Sequence, residues 1–193
     1  MNILVLGPQG SGKGTQAKRI KALHGIPHIA TGDMIREMKE VPDALGRELK
    51  EVYDRGDLVP DDLMIRLIRE RLSRGDTLGG FVLDGFPRTM PQAEALDALL
   101  RELGRDLDVV FEFQVPDREE LLGRMLKRAA EENRSDDTPE AIQRRLELYD
   151  RETAPLVEYY RARGNVVGIH ADRSIGEVFH EISNALSSVE ARA

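Results

Sequence analysis

The sequence predicts an α/β fold with a five-stranded parallel sheet flanked by helices, and three observations predict it. Five short apolar stretches recur, at 2–6, 28–30, 81–83, 109–115 and 166–170. Longer segments with helical periodicity lie between them, such as 61–72, 91–103 and 117–129. The first apolar stretch runs directly into the glycine-rich segment Gly7-Pro8-Gln9-Gly10-Ser11-Gly12-Lys13. Alternating strands and helices need crossover connections, which give a parallel sheet covered on both faces. Ligands then bind beyond the carboxyl ends of the strands.

The 193 residues are expected to form one domain, large enough to bury a core without staples. No internal repeat or low-complexity run divides them. Cysteine is absent, so there is no disulfide framework and no thiolate metal site. The formal charge of -7 argues against sequence-independent nucleic-acid binding. It does not exclude phosphate ligands, because local arginines override a net field. Arginine outnumbers lysine 22 to 6 and is the better fork for phosphate oxygens. The apolar start is cut short at Gly7 and follows no basic segment, so neither a signal peptide nor a membrane span is expected. The expectation is a soluble cytoplasmic protein with no membrane or nucleic-acid partner.

The elements follow in order. The strand at 2–6 feeds the glycine-rich loop, and a helix begins near Lys13. After the second strand, residues 31–60 read as mostly helical, with Pro42, Gly46 and Gly56 as breaks. The third strand ends in Asp84. In the helix at 117–129 the apolar stripe is Leu121, Leu122, Met125, Leu126 and Ala129. That phase puts Arg124 and Arg128 together on one edge and points Lys127 away. Residues 130–140 are polar and read as a surface loop containing Arg134. Thr138-Pro139 then reads as an N-cap and first helical residue. In the helix that follows, Ile142, Leu146 and Tyr149 form the stripe, Arg145 lies on its margin and Arg144 faces outward.

A strand, a glycine-rich loop with a lysine, and a helix start together form an anion cradle. Consecutive backbone N–H groups converge, the helix start adds partial positive charge, and Lys13 adds a full one. The general pattern asks for Ser or Thr directly after the lysine. Here Gly14 intervenes and the hydroxyl arrives at Thr15. Asp84, at a strand end, suits the role of organising magnesium. Arg36, in Thr31-Gly32-Asp33-Met34-Ile35-Arg36, and Arg88, in Asp84-Gly85-Phe86-Pro87-Arg88, each follow a strand's carboxyl end. Together they could form a second anion site facing the first. The four histidines, at 24, 28, 170 and 180, read as structural or surface groups.

These segments resemble the nucleoside monophosphate kinases, most closely the adenylate kinases, over nearly the whole chain. The resemblance rests on GPQGSGKGTQ, TGDMIR, LVP, DGFPRTMPQ and the arginines at 124, 128, 134 and 145. In that family the loop ends in GKGT, as here. Gln9 stands where the family often has proline and would contribute only backbone. The resemblance implies a P-loop kinase domain with a core of 1–29, 60–128 and 139–193. A small helical NMP-binding insertion would span 30–59 and a short, zinc-free lid 129–138. Only six positions carry the chain from Arg128 to Arg134, which identifies the short-lid form.

By resemblance, Gly10, Ser11, Gly12, Lys13, Gly14 and Thr15 hold the ATP phosphates. Arg124 lies against the ATP base, Arg128 clamps phosphates and Arg173 meets adenine through its backbone. Thr31, Arg36, Asp57, Leu58, Val59, Gly85, Phe86, Pro87, Arg88, Gln92, Arg134 and Arg145 form the AMP side. Lys13, Arg88, Arg128, Arg134 and Arg145 are the catalytic set. Thr15, Asp33 and Asp84 hold Mg2+, mainly through water. The implied reaction is phosphoryl transfer from MgATP to AMP, giving two ADP, in a monomer. The runner-up is a UMP/CMP kinase, which usually differs at the positions of Thr31 and Gln92. A non-catalytic sensor or GTPase-like switch is disfavoured because no N-K-x-D motif is present.

Overall fold

The computed structural model describes residues 1–132 and 137–191. Strands β1 (Asn2–Leu6), β2 (His28–Ala30), β3 (Phe81–Asp84), β4 (Val109–Gln114) and β5 (Val166–His170) form one parallel sheet in the order β2-β3-β1-β4-β5. In the register, Val5 pairs with both Asp84 and Phe111, which brings the ends of β1, β3 and β4 level. From β1 the chain crosses to β2 at one edge and returns through β3, and only β4 and β5 lie on the other side of β1. The strand order reverses there, and a crevice opens beyond the strand ends.

Alternation along β1 separates the two cores. Ile3 and Val5 pack with Ala17, Ile20, Val178, Ile182 and Leu186, which are residues of α1 (Lys13–His24) and α9 (Ile175–Glu190). Leu4 and Leu6 face the other way. They join α4 (Asp61–Leu72), α5 (Met90–Glu102) and α8 (Pro155–Arg161) through Ile68, Leu96, Leu156 and Tyr160. All four side chains are at most 3% exposed. A strand buried on both faces reads as a continuous apolar run, which is why this one was visible in the sequence.

Residues 31–60 form α2 (Thr31–Lys39) and α3 (Ala44–Asp54), with Pro42 between them. Gly46 is not a break: it lies in the first turn of α3, where a Cβ would stand 2.0 Å from the Val41 carbonyl oxygen. Close backbone approach, not chain termination, requires glycine there. The helix α6 (Arg118–Glu131) runs two residues beyond its expected end and takes up the start of the segment read as loop. Leu126, assigned to its apolar stripe, is 41% exposed, whereas Leu121 and Met125 are buried. The small cluster with Ile142 and Leu146 is covered by a narrower stripe than periodicity suggested. The helix α7 (Pro139–Leu148) starts at the expected Thr138 cap, whose hydroxyl accepts from Ala141 N at 3.2 Å. It passes through one π turn, Tyr149–Thr153, into α8.

Candidate active site

A cavity of about 650 Å³ opens beyond the carboxyl ends of β1, β2 and β3, and the glycine-rich loop forms its floor. Gly12 takes a left-handed conformation (φ 86°) as the N-cap of α1, with no capping side chain and no acidic residue in the first turn. The helix therefore presents unmet N–H groups and undiluted positive potential to the cavity. Gly10 (φ 84°) sits where a Cβ would lie 2.9 Å from the Leu121 carbonyl oxygen, so α6 holds the loop closely from behind. Lys13 folds back over the loop, its Nζ donating to the carbonyl oxygens of Gly7 (2.6 Å) and Pro8 (2.7 Å). Burial brings its ammonium down to about 8; Asp84 opposes that shift, and Arg88 and Arg128 add to it.

The residues that puzzle the pattern sit plainly. A Cβ on Gly14 would point at Asp84 Oδ2 from 3.5 Å, while Thr15 is exposed on the cavity wall. The Asp84 carboxylate faces His28 Nε2 at 3.3 Å. Burial opposes its charge, but the His28 hydrogen bond, Lys13 and Arg88 outweigh it and hold the carboxyl below its usual range. His28, read as structural or surface, therefore lines the cavity and touches a candidate functional group. Gln9, read as a backbone contributor, also lines the cavity, and its side-chain oxygen is buried without a hydrogen-bond partner among the described residues.

Across the cavity stand the arginines. Arg36 donates through Nη1 to the Tyr53 hydroxyl at 2.7 Å and through Nη2 to Asp33. Arg88 is anchored by Nε to the Gly85 carbonyl (2.7 Å), while its N–H donates to Gln92 Oε1 (2.8 Å). Its guanidinium sits below the ordinary arginine value, chiefly through burial, with repulsion from Arg145 and Arg36 added to it. Gln92 Nε2 donates in turn to Asp61 Oδ1 at 2.7 Å. Beside this group a smaller pocket is lined by Thr31, Leu58, Val59, Gly85, Arg88 and Gln92. Asp57 pairs with Arg144 and Arg55 at 2.9 and 3.3 Å, and these hydrogen bonds hold its carboxyl low against a smaller burial cost.

Arg128 and Arg145 converge on one carboxylate, Asp137. Arg128 Nη2 lies 2.6 Å from its Oδ2, and Arg145 reaches its Oδ1. The Asp137 side chain is 0% exposed, in a segment read as a surface loop. Arg145, placed on a helix margin by periodicity, is buried because Asp137 and the Tyr53 carbonyl (3.0 Å) satisfy it. Farther along the cavity Arg124 donates to the Ala171 carbonyl at 2.9 Å and pairs with Glu120, and Arg173 lies on the same wall. Lys127, expected to point away, is exposed and pairs with Glu131 at the cavity rim.

Most of the predicted residues thus meet in one cavity. Phe86 does not: it is 1% exposed in the core and lines neither pocket. Arg134 lies outside the described residues. Sequence reasoning missed Tyr53, Asp61 and Asp137. Tyr53 had one signal, being the one aromatic residue of α3. The other two had none, because acids in polar segments read as solvated.

The adenylate kinase family model matches residues 5–165. An adenylate kinase of Methanothrix thermoacetophila is 42% identical over 98% of this chain and all of the relative. One from Leifsonia xyli subsp. xyli is 47% identical over 96% of this chain and 92% of its own. One from Xanthomonas euvesicatoria pv. vesicatoria is 45% identical over 96% and 99%. A parallel sheet with its glycine-rich loop at the strand reversal, arginines facing it, and similarity that runs almost from end to end have one common explanation. The chain belongs to the adenylate kinase family.

Proposed function

We propose that this protein is an ATP:AMP phosphotransferase that catalyses MgATP + AMP ⇌ MgADP + ADP. The observation that carries the reading is that the phosphate cradle and the arginine group open into one cavity, with room for a donor and an acceptor side by side. An oxygen of the AMP phosphate attacks the γ-phosphorus as its bond to the β-γ bridging oxygen breaks. That oxygen is already ionised near neutral pH, so no general base is required. Catalysis is positioning plus charge neutralisation.

In this reading Gly10 to Thr15 bind the ATP phosphates, and Lys13 exchanges the carbonyls of Gly7 and Pro8 for phosphate oxygens. Arg124 and Arg173 sit on the ATP base side. The AMP side comprises Thr31, Arg36, Asp57 to Val59, Gly85, Pro87, Arg88 and Gln92. Arg88, Arg128, Arg134 and Arg145 neutralise charge on the transferring group in fixed fork geometry. The core (1–29, 60–128 and 139–193) carries the insertion 30–59 and the lid 129–138, and closure of these parts excludes water as a competing acceptor.

Magnesium fits the oxygen donors present. Among the described residues no three acidic, His or Cys side chains converge on one point. An ion held mainly by phosphate and water, with Thr15, Asp33 and Asp84 around its hydration shell, suits such a set. When bound it neutralises phosphate charge. We read the protein as a cytoplasmic monomer without nucleic-acid or membrane partners; among the described residues no helix is long and apolar enough to cross a membrane.

The test is a coupled assay on purified protein with a panel of acceptors. ADP formation that depends on AMP and exceeds that with CMP or UMP is expected. Absence of AMP-dependent ADP would overturn the proposal.

A further inference from the structure

We propose that Tyr53 is a positioning residue that pre-sets the arginines of the acceptor-phosphate site. The proposal rests on the AMP-side reading above. Tyr53 lies near the end of α3 and lines both the main cavity and the smaller pocket. Its hydroxyl accepts from Arg36 Nη1 at 2.7 Å and stands 3.4 Å from the Gly32 carbonyl oxygen, to which it donates. Its ring faces two cations, Arg145 at 5.0 Å and Lys39 Nζ at 5.1 Å from the centroid. Its carbonyl oxygen accepts from Arg145 Nη2 at 3.0 Å. One residue therefore meets Arg36 of α2 and Arg145 of α7 by three kinds of contact.

The chemistry of those contacts matters. Arg36 also pairs with Asp33, and Arg145 with Asp137. A carboxylate orients a guanidinium but cancels its charge, so it must yield when a phosphate arrives. A phenol and a π face orient the same guanidinium while leaving its full charge available. Tyr53 can keep its contacts with Arg36 and Arg145 when the anion is bound, and so lowers the ordering cost of binding. It also joins the insertion to the core, because Arg145 belongs to α7 and Arg36 to α2.

The experiment compares Tyr53→Phe and Tyr53→Leu in the full chain, varying AMP at saturating ATP and ATP at saturating AMP, with a thermal melt of each. Tyr53→Phe keeps the ring and loses the hydroxyl. It is expected to raise KM for AMP about tenfold, the size of one hydrogen bond to a charged group, with KM for ATP and kcat held within about twofold. Tyr53→Leu also removes the π face and is expected to raise KM for AMP further and to lower kcat. An unmoved KM for AMP in Tyr53→Phe overturns the assignment, as does an equal rise for both nucleotides, which marks a merely structural role. If Tyr53→Leu does not fold, Tyr53→Phe decides alone. Wild-type protein without AMP-dependent turnover would sink the acceptor-side reading itself. Wild-type turnover with an indifferent Tyr53→Phe sinks only Tyr53.

Discussion

In the function proposed above, the two walls of the cavity hold anions by different means. The cradle is made of backbone: one contiguous run from Gly7 to Thr15, a helix start, and a single charged side chain, Lys13. The opposite wall is made of side chains, with Arg36, Arg88, Arg128 and Arg145 brought from α2, the β3–α5 loop, α6 and α7. Backbone donors have no side-chain rotamers to order and need no counterion. Four long cations do, and here acids and a phenol hold three of them in place. Charge is concentrated in the cradle and distributed across the clamp, so single substitutions should hurt the two walls unequally.

The largest effect tests the concentrated side. Lys13→Met should lower kcat by about 10²–10³, the usual cost of removing one preorganised charge donor. Steady-state rates check this, and near wild-type kcat would contradict the assigned role. Arg88→Ala tests the distributed side. Losing its charge-assisted bonds should raise the dissociation constant for AMP about 10- to 100-fold and barely change that for ATP. Titration calorimetry measures both, and an equal loss would place Arg88 elsewhere than on the acceptor side.

Asp137→Asn sharpens the comparison by removing the anion that the clamp holds. Arg128 is 30% exposed at its side chain and water relieves part of the cost. A loss of about 2 kcal/mol, or about 4–8 °C in Tm for a chain of this size, is expected. Inorganic tripolyphosphate should recover more Tm in this variant than in wild type, and equal recovery would show that Asp137 does not stand in for phosphate.

The smallest effect is on pH dependence. Lys13 titrates from about 8 rather than near the ordinary lysine value. A lowered lysine pKa means that the ammonium is intact below that point and lost above it. kcat/KM for ATP should therefore be flat toward neutrality, about half its maximum at pH 8 and falling roughly tenfold per unit at higher pH. A flat profile to pH 10 would contradict that poise.

All five strands were legible as short, mostly apolar stretches between helical segments; β1, β3 and β4 are buried along most of their length, whereas in β2 and β5 only Ile29 and Ile169 are. The cradle was legible for a related reason: its chemistry is local, and consecutive residues supply every group. Arg36 and Arg88 could be placed at strand ends, but not their supports. The hydrogen bond between Gln92 and Asp61 spans 31 positions, and that between Arg145 and the Tyr53 carbonyl spans 92. No periodicity reaches so far. Asp137 was misread because polar composition reports average exposure, whereas this one acid is buried by the two cations it neutralises.

The amino-acid sequence by itself determined the sheet, the direction of its strands, the glycine-rich loop and the family, since each rests on short-range pattern or contiguous motif. Only the tertiary structure decided which residues hold the arginines, that His28 meets Asp84, and that Tyr53 and Asp137 belong to the site. The physical reason is range. Backbone conformation is set by neighbours a few residues away, whereas a buried charge is satisfied by whichever partner the completed fold delivers.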